Sequence, residues 1–264
     1  MTQQKLKSLI KDFVANYRAS QQTRTNWKSP VTAFANANDP LFLELKNIVS
    51  PSHALPHDFI SDAQTVISFF LPFDNSVVRS NIDKRNCSKE WAVAYLETNR
   101  LIHDLNTYIQ RYFKEIGFKS TIIPATHNYN PESLMSDWSH RHVAYIAGLG
   151  KFGINNMLIT EKGCCGRIGS IVTSASIAPS PRDGFEYCLY KFNGSCGKCI
   201  DRCVNEALFV NSFERKKCYD MCLQNNNYHS GPEITDVCGK CLVGVPCSLG
   251  NPVTASRANT ATDQ

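Results

Sequence analysis

Nine of the twelve cysteines in this 264-residue chain lie between Cys188 and Cys247, in three bursts. The first is Cys188, Cys196, Cys199 and Cys203; the second is Cys218 and Cys222; the third is Cys238, Cys241 and Cys247. Such spacing matches iron–sulfur ligation, and it constrains this stretch to loops that deliver thiolates to inorganic clusters. Eight thiolates hold two 4Fe-4S clusters, four each, so nine cysteines suffice with one to spare. The C-terminal third therefore reads as an electron conduit.

Cys196, Cys199 and Cys203 match the last three positions of the bacterial ferredoxin run Cys-x2-Cys-x2-Cys-x3-Cys-Pro, with Val204 in place of proline. Asn193 stands where the first cysteine belongs, and Cys188 is its substitute through a longer loop. Cys238-Gly-Lys-Cys241 echoes Cys196-Gly-Lys-Cys199, which makes two related half-motifs. Cys247 follows after a wider gap, and Cys218 or Cys222 completes the second set, with Cys218 preferred. Ferredoxin-like crossing gives Cys188, Cys196, Cys199 and Cys247 to one cluster. Cys203, Cys218, Cys238 and Cys241 go to the other. The rival is a four-cysteine zinc site, which would leave four of these cysteines without a role. Cys164 and Cys165 are adjacent, so their side chains diverge, and they read as small loop residues in a turn between two strands, while Cys87 reads as structural.

A net charge of +5, with Arg215-Lys216-Lys217 the densest basic patch, offers no nucleic-acid arm. The N-terminus lacks the apolar run and cleavage site of a signal peptide, and Val66 to Phe73 is too short to span a bilayer. A cytosolic location without membrane contact is expected, where cysteines serve metal or redox chemistry rather than disulfides.

Hydrophobic patterning predicts an amphipathic helix over 1–18, with Leu6, Ile10, Phe13, Val14 and Tyr17 on one face. A short helix follows at 41–49 and a buried strand at 64–73. Ser88 caps a long helix reaching Gly117, with its stripe at Trp91, Tyr95, Ile102, Leu105, Ile109, Phe113 and Ile116. Further strands are expected at 118–123, 155–160 and 167–178. A helix at 139–147 ends on Gly148, and 148–153 reads as a loop. Strands separated by helices indicate a layered α/β domain over 1–180. A small ferredoxin-like module at 181–250 and a polar tail at 251–264 follow.

Residues 136–173 contain Ala147-Gly148-Leu149-Gly150, Gly153, Leu158-Ile159 and a following Gly-Arg-Ile-Gly strand. Joined to the double cysteine motif, they resemble epoxyqueuosine reductase and its short relatives, a family similar to the catalytic part of reductive dehalogenases. The resemblance implies a nitroreductase-like α/β (α+β) domain that holds a cobalamin, with the two clusters beside the corrin. It implies an oxidoreductase that passes single electrons from two 4Fe-4S clusters to a corrin and a substrate. Gly148, Leu149, Gly150 and Gly153 would then lie against the cofactor. The family's acid is a carboxylate ahead of the glycine segment, and Asp137 is the nearest candidate. His140 and His142 are further proton donors, because imidazole titrates near neutral pH. Full-length relatives carry a helical-repeat segment after the clusters that helps hold tRNA. With the sequence ending at Gln264, the expected substrate is a small molecule or modified nucleoside, and tRNA is left open. The expected electron donor is a low-potential protein such as ferredoxin or flavodoxin. The alternative from another class is an electron carrier without cobalamin.

Overall fold

The computed structural model describes residues 2–125 and 129–254, so the tail beyond 254 lies outside the described residues. The chain runs α1 (Gln3–Gln21), β1 (Val31–Asn36), α2 (Leu41–Ile48), α3 (Pro56–Phe59), β2 (Thr65–Pro72), α4 (Asn75–Ser80), α5 (Lys89–Glu115) and β3 (Ser120–Ile122). It continues with α6 (His140–Ile146), β4 (Gly150–Phe152), β5 (Leu158–Thr160), β6 (Gly166–Thr173), α7 (Leu189–Asn193), α8 (Lys198–Asp201), α9 (Arg215–His229) and a 3-10 turn at Lys240–Leu242.

The main sheet has the order β1-β2-β6-β3, and every pairing in it is antiparallel. β2 is buried along its whole length because it lies between β1 and β6 and is covered on both faces. Alternation along a strand then divides its apolar run. Val66 and Phe70 face a cluster with Phe42 and Leu45 of α2 and Val143 and Ile146 of α6. Ile67, Phe69 and Leu71 face Leu6 and Ile10 of α1 and Leu101, Leu105 and Ile109 of α5. The result is a helix–sheet–helix sandwich of mixed α and β structure.

Local signals explain the two long helices. Thr2 caps α1 by accepting from Lys5 N at 3.3 Å, and Ser88 caps α5 by accepting from Trp91 N at 3.0 Å. The anticipated stripe of α5 is buried except for Ile116, which lies just past the helix and is 42% exposed. Two strands escaped the patterning. β1 is short and rich in alanine, and β4 lies inside the stretch read as a loop, paired with β5 as a hairpin. Among the described residues no helix is long and apolar enough to cross a membrane.

The cysteine-rich segment is bolted to the sandwich by backbone-directed hydrogen bonds. Cys164 N donates to Cys247 O at 3.0 Å, and Asn81 Nδ2 donates to Cys238 O at 2.9 Å. Lys240 is 1% exposed, and its Nζ donates to the carbonyls of Asn81 and Asp83 at 2.8 and 2.7 Å. Its counterpart Lys198, in the other Cys-Gly-Lys-Cys pair, is exposed. Asn225 on α9 accepts from Cys87 N at 3.0 Å and donates to Val237 O at 2.9 Å. These contacts fix the third cysteine burst against the start of α5.

Candidate functional site

The cysteines gather around two cavities. Cys188, at the N-terminus of α7, lines one small cavity with Cys196, Cys199 and Cys247. Cys203, Cys218, Cys222, Cys238 and Cys241 line a second, larger cavity of about 410 Å³. Thus Cys247 leaves the third burst to join the first group, while Cys203 leaves the first burst to join the second group. Cys218 and Cys222 sit one turn apart on α9 with their thiols in contact, and both face the second group.

Ionising these thiols together is unfavourable. Burial pushes Cys199 up to about 12, and neighbouring Cys247, Cys188 and Cys196 add to the rise. Cys238 is pushed up to about 11 by burial, with Cys218 and Cys203 contributing. Cys241 is raised by burial and by Cys238, Cys218 and Cys203. Four crowded thiolates need a cationic centre between them, which is the chemistry of an iron–sulfur core. Among the described residues no three His, Cys, Asp or Glu side chains close on a point as they would around one metal ion. Cys164, read from sequence as a loop residue, is buried with its Sγ 3.9 Å from Cys247 Sγ. Cys165 Sγ donates to Leu242 O at 3.2 Å, but the adjacent thiols also touch, and the contact with Cys165 is the first cause that raises Cys164, so the expected divergence does not hold.

The larger cavity lies between the cysteines and the sandwich. Trp91, Tyr95, Arg141, Arg167 and Tyr219 line it. Arg167 stacks over the Tyr95 ring at 4.5 Å, and burial lowers its affinity for its proton. Trp91 Nε1, Arg167 Nε and Asn155 Nδ2 are buried donors without a hydrogen-bond partner among the described residues. Orphaned donors around one cavity suit a ligand rich in acceptors, such as the amide- and phosphate-bearing rim of a corrin. Tyr129 and Tyr219 meet at the wall with their hydroxyls 2.8 Å apart.

A neighbouring cavity of about 320 Å³ shares Arg141 and Arg167 with it and includes Trp138, His140 and Cys164. Here His140 is held at both ring nitrogens. Its Nδ1 is 2.8 Å from Ser170 Oγ, and its Nε2 is 2.8 Å from Pro124 O. Because a carbonyl only accepts, Nε2 carries the proton and Nδ1 accepts from the hydroxyl. Ser170 Oγ in turn accepts from Trp138 Nε1 at 2.9 Å. Burial pushes His140 down to about 4, so the ring is neutral at ordinary pH. His142 points elsewhere, with Nδ1 2.8 Å from Ser139 Oγ and its ring against Phe152; burial and then Arg141 hold it near 4 as well.

Other expected site residues fall away from this centre. Asp137 is exposed, and its Oδ1 accepts from Ser52 Oγ at 2.6 Å while its carbonyl accepts from Ala54 N. Its carboxylate braces the 50–54 turn. Gly148, with φ of +79°, ends α6, and with Leu149 it lines a separate cleft beside α1. A Cβ at Gly150 would stand 2.1 Å from Ile159 O, so glycine there permits the β4–β5 hairpin. Of the glycine segment, Gly153 borders the first cysteine group. The tyrosine pair and the three orphaned donors carried no local sequence signal, because tertiary folding alone brings them together.

No family model matches the chain. Over 183 residues it is 26% identical to the epoxyqueuosine reductase of Bacillus anthracis, covering 66% of this chain and 43% of that protein. The chain thus spans less than half the length of that curated relative. An epoxyqueuosine reductase solved with an epoxyqueuosine-modified stem loop of tyrosine tRNA aligns with a TM-score of 0.55 and 17% identity. That match covers 92% of this chain and 66% of the other. A catabolic reductive dehalogenase in complex with 3-bromo-4-hydroxybenzoic acid gives a TM-score of 0.54 at 14% identity, over 88% of this chain and 32% of that one. The chain has the fold shared by these enzymes, and in sequence it is similar to epoxyqueuosine reductase.

Proposed function

We propose that this chain is an iron–sulfur, cobalamin-dependent reductase of the epoxyqueuosine reductase type. The observation that carries the reading is the crossed grouping of the cysteines on one side of a donor-lined cavity. Cys188, Cys196, Cys199 and Cys247 would hold one 4Fe-4S cluster. Cys203, Cys238 and Cys241 would hold the second with Cys218, or with Cys222 beside it. Cobalamin would occupy the larger cavity, where Trp91 Nε1, Arg167 Nε and Asn155 Nδ2 offer hydrogen bonds to its periphery. When bound, the two cofactors supply low-potential single electrons and a strongly reducing cobalt centre.

The protein's own part is binding, orientation, exclusion of water and supply of protons. One of the Tyr129 and Tyr219 hydroxyls donates to the other at the cavity wall, and the accepting phenol can then give its own proton toward a reduced substrate atom. The hydrogen bond with Tyr129, and then burial, make Tyr219 a weaker acid than a free phenol, so it keeps its proton until the acceptor is basic. His140 fixes Trp138 through Ser170 rather than acting as the acid. Gly153 shapes the wall of the first cluster, while Gly148, Leu149 and Gly150 form the turn that carries it. A low-potential protein such as ferredoxin or flavodoxin would supply the electrons.

Anaerobic reconstitution with hydroxocobalamin tests this reading. One retained corrin per iron-loaded chain, lost in Arg167→Ala with iron content unchanged, is the expected result. Iron loading without corrin retention would instead identify an electron carrier.

A further inference from the structure

Beside the larger cavity lies a cleft of about 570 Å³, and the two share Leu134, Arg141, Asn156, Phe213 and Arg215. Among the described residues the charged side chains lining this cleft are Arg141, Lys191 and Arg215, all basic. Ile48, Phe209 and Phe213 supply apolar wall between them. Arg141 Nη1 donates to Asn156 O at 2.6 Å, and Arg215 Nη1 donates to Ser133 O at 3.2 Å. Neither arginine, nor Lys191, takes part in an ion pair found among the described residues.

Like charges are therefore gathered with no carboxylate to offset them. Arg215 lies near enough for its charge to repel that of Arg141, and both side chains line this cleft. A cluster on the second cysteine group would offset Arg141 from the inner side, since Cys218 and Cys241 face it. Among the residues lining this cleft no carboxylate faces Lys191 and Arg215. Guanidinium groups present paired N–H donors that match carboxylate and phosphate oxygens, and a concave basic cleft concentrates anions.

We infer that the substrate is a small organic anion, its carboxylate or phosphate held by Arg141 and Arg215 while its apolar body reaches toward the inner cavity. The inference rests on the proposed reading that the inner cavity is where reduction occurs. A small molecule is favoured over RNA because the basic groups converge in one cleft of ligand size rather than forming a track. The adjoining Lys217 is also engaged, with its Nζ 3.1 Å from Glu214 Oε1.

Phenyl phosphate, phenylacetate and uncharged benzyl alcohol are titrated calorimetrically into anaerobic, iron-loaded protein. At least one of the two anions is expected to bind at one site, about tenfold or more tighter than the alcohol, and the better anion identifies phosphate or carboxylate. Arg215→Gln should weaken that binding about tenfold with iron content and circular dichroism unchanged, and Arg215→Lys should recover part of it. Equal binding of all three probes, no binding of either anion, or binding of an RNA hairpin without either small anion overturns the inference. Iron is assayed in the same samples: an iron-free protein refutes the proposed function, whereas an iron-loaded protein indifferent to both anions refutes this inference alone.

Discussion

His140 shows how far a residue's role depends on what surrounds it. An imidazole near a glycine segment reads as a proton donor, yet both its nitrogens are spent on Ser170 and Pro124. Its burial has a measurable consequence for stability. In the unfolded chain it titrates near 6.5, and in the folded chain near 4. Between those values the unfolded chain takes up a proton that the folded chain refuses. Its contribution is therefore fully present above about pH 6.5 and is lost as pH falls toward 4, by roughly 3 kcal/mol for the whole shift. Urea midpoints of the wild type and His140→Gln should converge as pH falls from 7 to 4.5. A constant gap across that range would show that the ring titrates alike in the folded and unfolded chain. Asp137 differs in kind: its carboxylate is tied to Ser52 on the surface, and spacing along the chain gave no sign of that.

Among the elements, the two Cys-Gly-Lys-Cys turns look equivalent in sequence and are not equivalent in space. Gly239 has φ of +72°, and a Cβ there would stand 2.2 Å from Trp91 Cζ2. Gly197 has nothing within 4 Å of its Cβ position. Gly239→Ala should therefore lower the thermal midpoint and reduce the iron content to about half, whereas Gly197→Ala should retain iron. Equal iron in the two variants would contradict the packing account. The long elements were legible because their signals are local: the threonine and serine caps, the stripe of α5, and the apolar run of β2. β1 and β4 were not, because their pairing partners lie far along the chain or on a hairpin that glycines make possible. The bursts of cysteine were legible from spacing and their grouping was expected from ferredoxin-like crossing, but the choice between Cys218 and Cys222 was not legible, since both lie on the same face of α9. The donor-lined cavity could not be read at all, because Trp91, Asn155 and Arg167 meet only after the sheet and helices have packed.

At the scale of the molecule, an antiparallel sandwich supplies one wall and a cysteine-bearing segment the other, with the cavity between them. Neither wall is complete alone. Lys240 and Asn225 lock the segment to the loop ahead of α5, so the second cysteine group and Trp91 are positioned by the same contacts. On the proposed function, electrons arriving at the first group would pass to the second and then reach the cavity, with a basic cleft beside it.

The central claim is that two separate groups of four thiolates hold two clusters. The most direct measurement is iron and sulfide content after anaerobic reconstitution of the wild type, Cys199→Ser and Cys241→Ser. The expected result is about eight irons in the wild type and about four in each variant, with each variant keeping the signal of a different cluster in electron paramagnetic resonance. Zinc in place of iron, or loss of all iron from either single variant, would contradict it.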